Sequence, residues 1–336
     1  MKKYSRLDKE LNEEKSLSSL AAKSSQSLGR VYPEEEDYYR TCFARDRDRI
    51  IHAKSFRRLK HKTQVFLAPE GDHYRTRLTH TLEVMQIANS MADILGLNQD
   101  LTQAIALGHD LGHTPFGHCG ESVLNRLYPG GFRHNEQSLR VVDWIEIREG
   151  KPYRGLNLSQ EVRDGILNHS GGKKAATLEG QLIYYADRIA YLNHDFDDAR
   201  RAGILKDQDL PSDIRQVLGE SASKRIDTMI KDLVNTSSDL GQISFSSEVN
   251  GATMALRKFM FDNLYLDSHA KEEEKRTVRL MELLYGYFLE NPHKLPDVFL
   301  DENIELAVKD YIAGMSDRYA VERFKEIFLP RFWQEG

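Results

Sequence analysis

Apolar residues recur at helical spacing along almost the whole of this chain, and no long period-two alternation replaces them. The stretch HTLEVMQIANSMADIL sets Leu82, Met85, Ile87, Ala88, Met91, Ile94 and Leu95 in the wide stripe of a helix with one buried face. Gly96 follows as a stop, because glycine takes the left-handed conformation past a helix end without steric cost. LTQAIALGHDLG reads as the next, strongly buried helix, with Gly108 letting a backbone or ligand come close. Further helical periods run through ESVLNRLY, NEQSLRVVDWIEI, SQEVRDGILNH and LEGQLIYYADRIAYLNHDFDDARRAG. They continue through SKRIDTMIKDLVNT, EVNGATMALRKFMFDNLYL, EEEKRTVRLMELLYGYFLEN and a terminal pair ending at Phe328. The pattern predicts an all-α protein, with room for short strands only near residues 62–67.

With 336 residues the chain can bury a sizeable core. Residues 1–40, carrying SLSSLAAKSSQS and PEEED, read as a polar, partly ordered arm. Residues 41–205 hold the motifs, and 206–336 form a C-terminal helical region expected to pack on them. Forty-seven basic against 52 acidic side chains leave a net charge of −5, which weighs against a nucleic-acid coat protein. A local basic pocket for one polyphosphate remains compatible with it. Two cysteines without CxxC spacing point to a reducing compartment. No secretory pattern opens the chain and no run approaches the ~18 apolar residues of a membrane span, so a cytoplasmic protein is expected.

His109-Asp110 is the central chemical signal. Adjacent residues do not share a helix face, but at a helix end beside Gly108 and Gly112 both can turn toward one ion. His80 and Asp187 (YYADRIAYL) sit among apolar neighbours, where an unpartnered ionisable group costs several kcal/mol. A shared divalent cation would satisfy all four. A lone helical His is more often a hydrogen-bonded core residue. Here, however, five of the 12 histidines crowd positions 80–134. Two His and two carboxylates suit Mn, Mg, Fe, Ni or Zn, exclude a structural thiolate site, and leave positions open for water and substrate.

The order His80…His109-Asp110…Asp187 resembles the HD-domain phosphohydrolase superfamily. DRDRIIHAKSFRRLKHKTQVF, HYRTRLTHTLEV, HDLGHTPFGHCGE, HNEQS and YYADRIAYLNHDFDDA narrow the resemblance to the dNTP triphosphohydrolases, the dGTPase and dGTPase-like group. The resemblance covers roughly residues 40–200 and is loose beyond them. It implies hydrolysis of a deoxynucleoside triphosphate to deoxynucleoside and tripolyphosphate. The bond broken joins the α-phosphorus to the 5′ oxygen, so the leaving group is an alkoxide that needs a proton donor.

His118 and Glu121, i and i+3 at the start of GESVLNRLY, are the candidates for that acid and its supporting carboxylate. Glu121 alone would read as a first-turn carboxylate on a helix dipole; the paired His, catalytic in the family, reverses that. The resemblance also sets His113, His134 and Arg77 against the phosphates and gives Arg188 a basic family position. Tyr191 and Asp195, at i+4 and i+8 from Asp187, share its helix face, and the family uses them with Gln64 to read the sugar. Arg57, Arg58, Lys60 and Lys62 are a further source of cations, at least half of which read as a solvated basic face. His169 and His194 read as structural.

Two other readings keep part of this picture. One retains the metal site for a nucleoside monophosphate, a cyclic nucleotide or a guanosine polyphosphate; the other is a nucleotide-sensing regulator. The acid pair and the sugar set weigh against the first, and an intact ligand quartet against the second. On family grounds alone a homo-oligomer and activation by an allosteric nucleotide are expected, while strict dGTP preference is not carried over to so short a chain.

Overall fold

The computed structural model describes residues 3–64, 75–264, 268–299 and 303–330, with the side chains of 268–272 excepted. In order the helices are α1 (Arg6–Ser16), α2 (Cys42–Ile51), α3 (Lys54–Arg58), α4 (Arg77–Ile94) and α5 (Gln99–Gly108). They continue with α6 (Gly117–Leu127), α7 (His134–Arg140), α8 (Gln160–Asn168), α9 (Leu178–Arg201) and α10 (Ser212–Leu218). The last are α11 (Ala222–Leu240), α12 (Ser247–Asn263), α13 (Ser268–Glu290), α14 (Ile304–Ala313) and α15 (Asp317–Phe328). Among the described residues there is no sheet, only isolated antiparallel bridges joining Arg30 to Ser159 and Thr63 to Thr76. The short strands expected near 62–67 reduce to the second bridge, and residues 65–67 lie outside the described residues. No described helix is long and apolar enough to cross a membrane.

Capping residues start the central helices where the sequence changes period. Thr76 accepts from the Thr79 amide, and Thr79 returns a bond to the Thr76 amide at 2.9 Å. Asn98 caps α5 through the Leu101 amide and Thr177 caps α9 through that of Gly180. Helices α4, α5 and α9 pack on one another with α2 and α8 against α5. Leu101, Ile105, Val84, Met91, Leu182 and Ile189 lie fully buried in the core they share. Each such aliphatic side chain contributes roughly 1.5–3 kcal/mol on burial. Residues 214–264, from α10, α11 and α12, extend this core. A second core joins Phe116 and Leu124 to Met281, Leu284, Phe288, Val308 and Ile312.

Three sequence expectations are corrected. The buried face of α4 carries Arg77, His80, Thr81, Val84, Ile87, Ala88 and Met91, while Leu82 is 42% and Ile94 63% exposed. Polar His80 and Arg77 are in phase with Val84, Ile87 and Met91 at 3.6 residues per turn, Leu82 is not, and Ile94 is exposed as the last residue of the helix. The N-terminal arm is also docked rather than loose. Ala21 enters the first core, Arg30 pairs with the buried Asp46, and Glu161 accepts from the Leu28 amide at 2.6 Å. Polar composition hid this because the arm is held by buried carboxylates. Gly96 stops α4 as expected, at φ 65°. Gly108 admits a side chain rather than a backbone or ligand: a Cβ there would lie 2.5 Å from Ile166 Cδ1.

Candidate active site

Helix α5 ends at Gly108, and the chain turns so that His109, Asp110 and His113 all point into one buried cluster. Gly112 makes the turn possible, since a Cβ on it would lie 2.1 Å from the Ser138 amide. Ser138 on α7 fastens the loop, accepting from the Gly112 amide at 2.9 Å and donating to the His109 carbonyl at 2.6 Å. His80 comes from α4 and Asp187 from the middle of α9.

The four expected ligands meet. His80 Nε2 lies 3.0 Å from Asp187 Oδ1 and 3.9 Å from Asp110 Oδ2. His109 Nε2 lies 3.5 Å from Asp110 Oδ1 and 3.9 Å from Asp187 Oδ1. The protonation of His109 follows from its surroundings. Its Nδ1 is 2.6 Å from the Ala106 carbonyl, which can only accept, so Nδ1 carries the hydrogen and Nε2 presents a lone pair. That Nε2 is buried and has no hydrogen-bond partner. A buried, orphaned imidazole nitrogen facing two carboxylates and a second imidazole is a donor set that fits a divalent cation.

The carboxylates are charged. Burial opposes ionisation of Asp110, but His109, His113 and Arg77 around it hold the carboxyl well below the usual range. Burial likewise opposes Asp187, and the hydrogen bond and charge of His80 outweigh it, bringing the carboxyl to about 2. Arg77 donates to Asp110 Oδ2 at 3.0 Å.

Beside this cluster runs a chain of imidazoles. His113 Nε2 lies 3.1 Å from Asp110 Oδ1, and its ring stacks on His134 at 4.1 Å. His134 Nδ1 lies 3.1 Å from Glu121 Oε1, and its Nε2 lies 3.3 Å from both His169 Nε2 and the Ser170 hydroxyl. His169 Nδ1 donates to the Ile166 carbonyl at 2.7 Å, which leaves its Nε2 as an acceptor. His134 thus has acceptors facing both nitrogens, an arrangement that suits its charged form. Burial works against that charge, and Glu121 outweighs it and raises the His134 pKa. Burial pushes His169 down to about 3, keeping it neutral. His169 is thus part of the site, which sequence reasoning read as structural; its motif LNHSGG gave no spacing to a known ligand.

Glu121 supports a different imidazole than expected. It accepts from both the amide and Nδ1 of His134, whereas His118 Nδ1 stands 3.9 Å from its Oε2. Burial opposes the Glu121 charge, but contacts with His118 and His134 hold its carboxyl far below the usual range. The His118 side chain is 78% exposed and lines the cavity.

One cavity of about 1420 Å³ has His80, Asp110 and Asp187 on its wall, while His109 and Glu121 are not among its lining residues. Gln64, Arg77, His113, His118, His134, Arg188, Tyr191 and Asp195 all line it too. Arg188 lies over the Tyr184 ring at 4.1 Å. Arg57, Arg58, Lys60 and Lys62 do not line it. Arg57 and Lys60 are exposed, and Lys62 is buried with its ammonium donating to the His113 and Ala313 carbonyls. Burial, with Arg58 nearby, pushes Lys62 down to about 7. The cavity instead takes further cations from α12, at Arg257 and Lys258, which apolar patterning of that helix did not mark. His194 Nδ1 lies 2.9 Å from Glu83 Oε2, outside the cavity lining.

Comparison with known proteins gives the family. The HD domain model matches residues 77–192, and the phosphohydrolase-associated domain model matches 243–326. A deoxyguanosinetriphosphate triphosphohydrolase-like protein of Caldanaerobacter subterraneus subsp. tengcongensis is 56% identical over 334 residues, covering 97% of each chain. A protein of the same description from Clostridium perfringens is 51% identical over 329 residues, covering 94% of this chain and 95% of that one. With near-complete coverage at such identity, the chain is an HD-domain hydrolase and belongs to the deoxyguanosinetriphosphate triphosphohydrolase-like family.

Proposed function

We propose that this protein hydrolyses deoxynucleoside triphosphates to the deoxynucleoside and tripolyphosphate. The orphaned Nε2 of His109, buried between Asp110, Asp187 and His80, carries the reading. His80, His109, Asp110 and Asp187 would hold a divalent ion, Mn, Mg, Fe or Ni. Such an ion supplies Lewis-acid polarisation of a phosphoryl oxygen and makes water more acidic.

The chain's own residues have separable tasks. His134, charged and stacked on His113, meets the anionic phosphates together with Arg77 and Arg188. His118 protonates the departing 5′ oxygen, and Glu121 fixes the wall from which it acts. Gln64, Tyr191 and Asp195 contact the sugar, where Tyr191 leaves no room for a 2′-hydroxyl. The half-buried ring of Tyr191 and the buried carboxylate of Asp195 share the face of α9 that bears Asp187, which supports this assignment.

A homo-oligomer and an activating nucleotide belong to the same reading. Tyr4, Leu7 and Leu11 leave an exposed apolar face on α1, and Arg40, Arg45, Arg49, Arg57 and Arg148 line a separate cavity of about 360 Å³. The deciding experiment incubates the pure protein with each dNTP and Mn²⁺ or Mg²⁺ and separates the products. Tripolyphosphate with deoxynucleoside is expected. Pyrophosphate with monophosphate, or free phosphate, would move the attack to another phosphorus and remove the role given to His118. No turnover, with nucleotide bound, would favour a sensor.

A further inference from the structure

Helix α6, which carries His118 and Glu121, begins in an unusual way. Its start has no side-chain cap, and the preceding Phe116 sits at φ 62°, ψ 25°, a left-handed conformation that non-glycine residues rarely adopt. Such backbone persists only where its surroundings over-determine it. The group that holds it comes from the far end of the chain. Asp317, the first residue of α15 and 7% exposed, accepts from the Phe116 amide through Oδ1 at 2.9 Å. Through Oδ2 the same carboxylate accepts from the Thr63 amide, also at 2.9 Å. Thr63 immediately precedes Gln64. Asp317 therefore joins the backbone before the proton donor to the backbone before a sugar-contacting residue.

A second tie runs alongside. Lys62 donates to the carbonyl of His113 and, at 2.9 Å, to that of Ala313, the last residue of α14. The turn between α14 and α15 thus holds the catalytic side by three hydrogen bonds, from the Thr63 and Phe116 amides to Asp317 and from the Lys62 ammonium to Ala313, while the same ammonium ties residue 62 to the His113 carbonyl. Asp317 makes no ion pair among the described residues. A carboxylate in the first turn of a helix would ordinarily be read as serving the dipole of its own helix. Here both its oxygens are turned outward onto other segments, while Ser316 caps α15 through the Tyr319 amide at 3.3 Å.

We propose that Asp317 is a positioning residue of the hydrolase: the α14–α15 corner sets the entry of α6, and with it the place of His118 over the cavity. The proposal rests on the reading of His118 as proton donor, because it is through α6 that Asp317 acts. None of the four expected metal ligands lies on the gripped residues 62–63 or 113–116, so metal binding is a separate readout. A displacement of about 1 Å at a reacting group is enough for a loss near 10²-fold.

The test compares Asp317→Ala, Asp317→Asn and Ser316→Ala in the full-length protein. Asp317→Ala should lower kcat roughly 10- to 100-fold with KM changed far less. It should also speed amide exchange in peptides spanning 62–64 and 113–117, and leave the Mn²⁺ binding isotherm as in the wild type. Asp317→Asn, which keeps one acceptor oxygen, should fall between. Ser316→Ala weakens the start of α15 without touching the catalytic side, so it should lower Tm while kcat and the exchange of 113–117 stay at wild-type values. Unchanged exchange at 113–117 in Asp317→Ala, loss of Mn²⁺ binding in it, or an equal fall in kcat for Ser316→Ala would each overturn the proposal. Exchange and Mn²⁺ binding are read without substrate, so they decide on Asp317 even if no dNTP is cleaved; that outcome would refute the substrate reading alone.

Discussion

The segment matching the HD domain and the one matching the phosphohydrolase-associated domain are both helical, and they do different work with similar material. The first gathers ionisable side chains inside its core, at the end of α5 and along α4 and α9, where they face one another and leave the His109 Nε2 bare. In the second, Met281, Leu284, Phe288, Val308 and Ile312 form an apolar layer, and the α14–α15 corner reaches the loops beside the site through the Asp317 carboxylate and the Ala313 carbonyl. The contrast teaches that a segment without a chemical motif can still determine a reaction's geometry. Side chains carry the chemistry in one segment; in the other a packed scaffold presents a carboxylate and a carbonyl.

Substitutions can break this contrast or sharpen it, the largest effect first. Asp187→Ala should reduce both bound metal, measured by elemental assay, and turnover to background. His118→Ala should retain the metal and lose turnover by about 10²–10⁴-fold. Near-normal turnover in His118→Ala would remove its assignment as acid. In the second core, Leu284→Ala should cost about 2–5 kcal/mol in denaturant unfolding, because Leu284 is fully buried and leaves a cavity. Metal bound per folded molecule should not change; if it fell, the two segments would not be separable in role.

The smallest effect is expected outside both, at Glu34, which Arg49, Arg148 and Tyr153 surround. Burial opposes its charge, and hydrogen bonds from Tyr153, Arg49 and Arg148 hold the carboxyl far below its ordinary value. A carboxyl depressed on folding stabilises the protein above its unfolded pKa of about 4.3, and that stability is lost as pH falls toward the folded value. Glu34→Gln should therefore lower Tm by roughly 2–4 °C at pH 7. The gap to wild type should narrow as pH falls below about 4; a gap independent of pH would mean that packing, not charge, is what Glu34 contributes.

Helical class, most helix positions and the stop at Gly96 follow from periodicity and glycine chemistry, which are local. The candidate ligands were legible for a related reason: an ionisable residue within an apolar period must find a partner, and His80, His109, Asp110 and Asp187 find one another. His169 lacked such a mark, since a histidine at a helix end ordinarily bonds a nearby carbonyl, as this one does. Its second nitrogen acquires meaning only from His134, 35 residues away. Lys62 was misread among basic neighbours because exposure is not written in residue type.

From its residues alone, the chain determined an all-helical fold with a mixed imidazole and carboxylate cluster, because spacing and polarity are properties of neighbours in sequence. Tertiary structure decided the rest. It set which nitrogen of His109 is bare, faced both nitrogens of His134 with acceptors, turned Glu121 toward His134, and brought Asp317 to the start of α6. Those outcomes depend on hydrogen-bond partners separated by up to 254 residues, and no local pattern encodes a contact made only when distant helices pack.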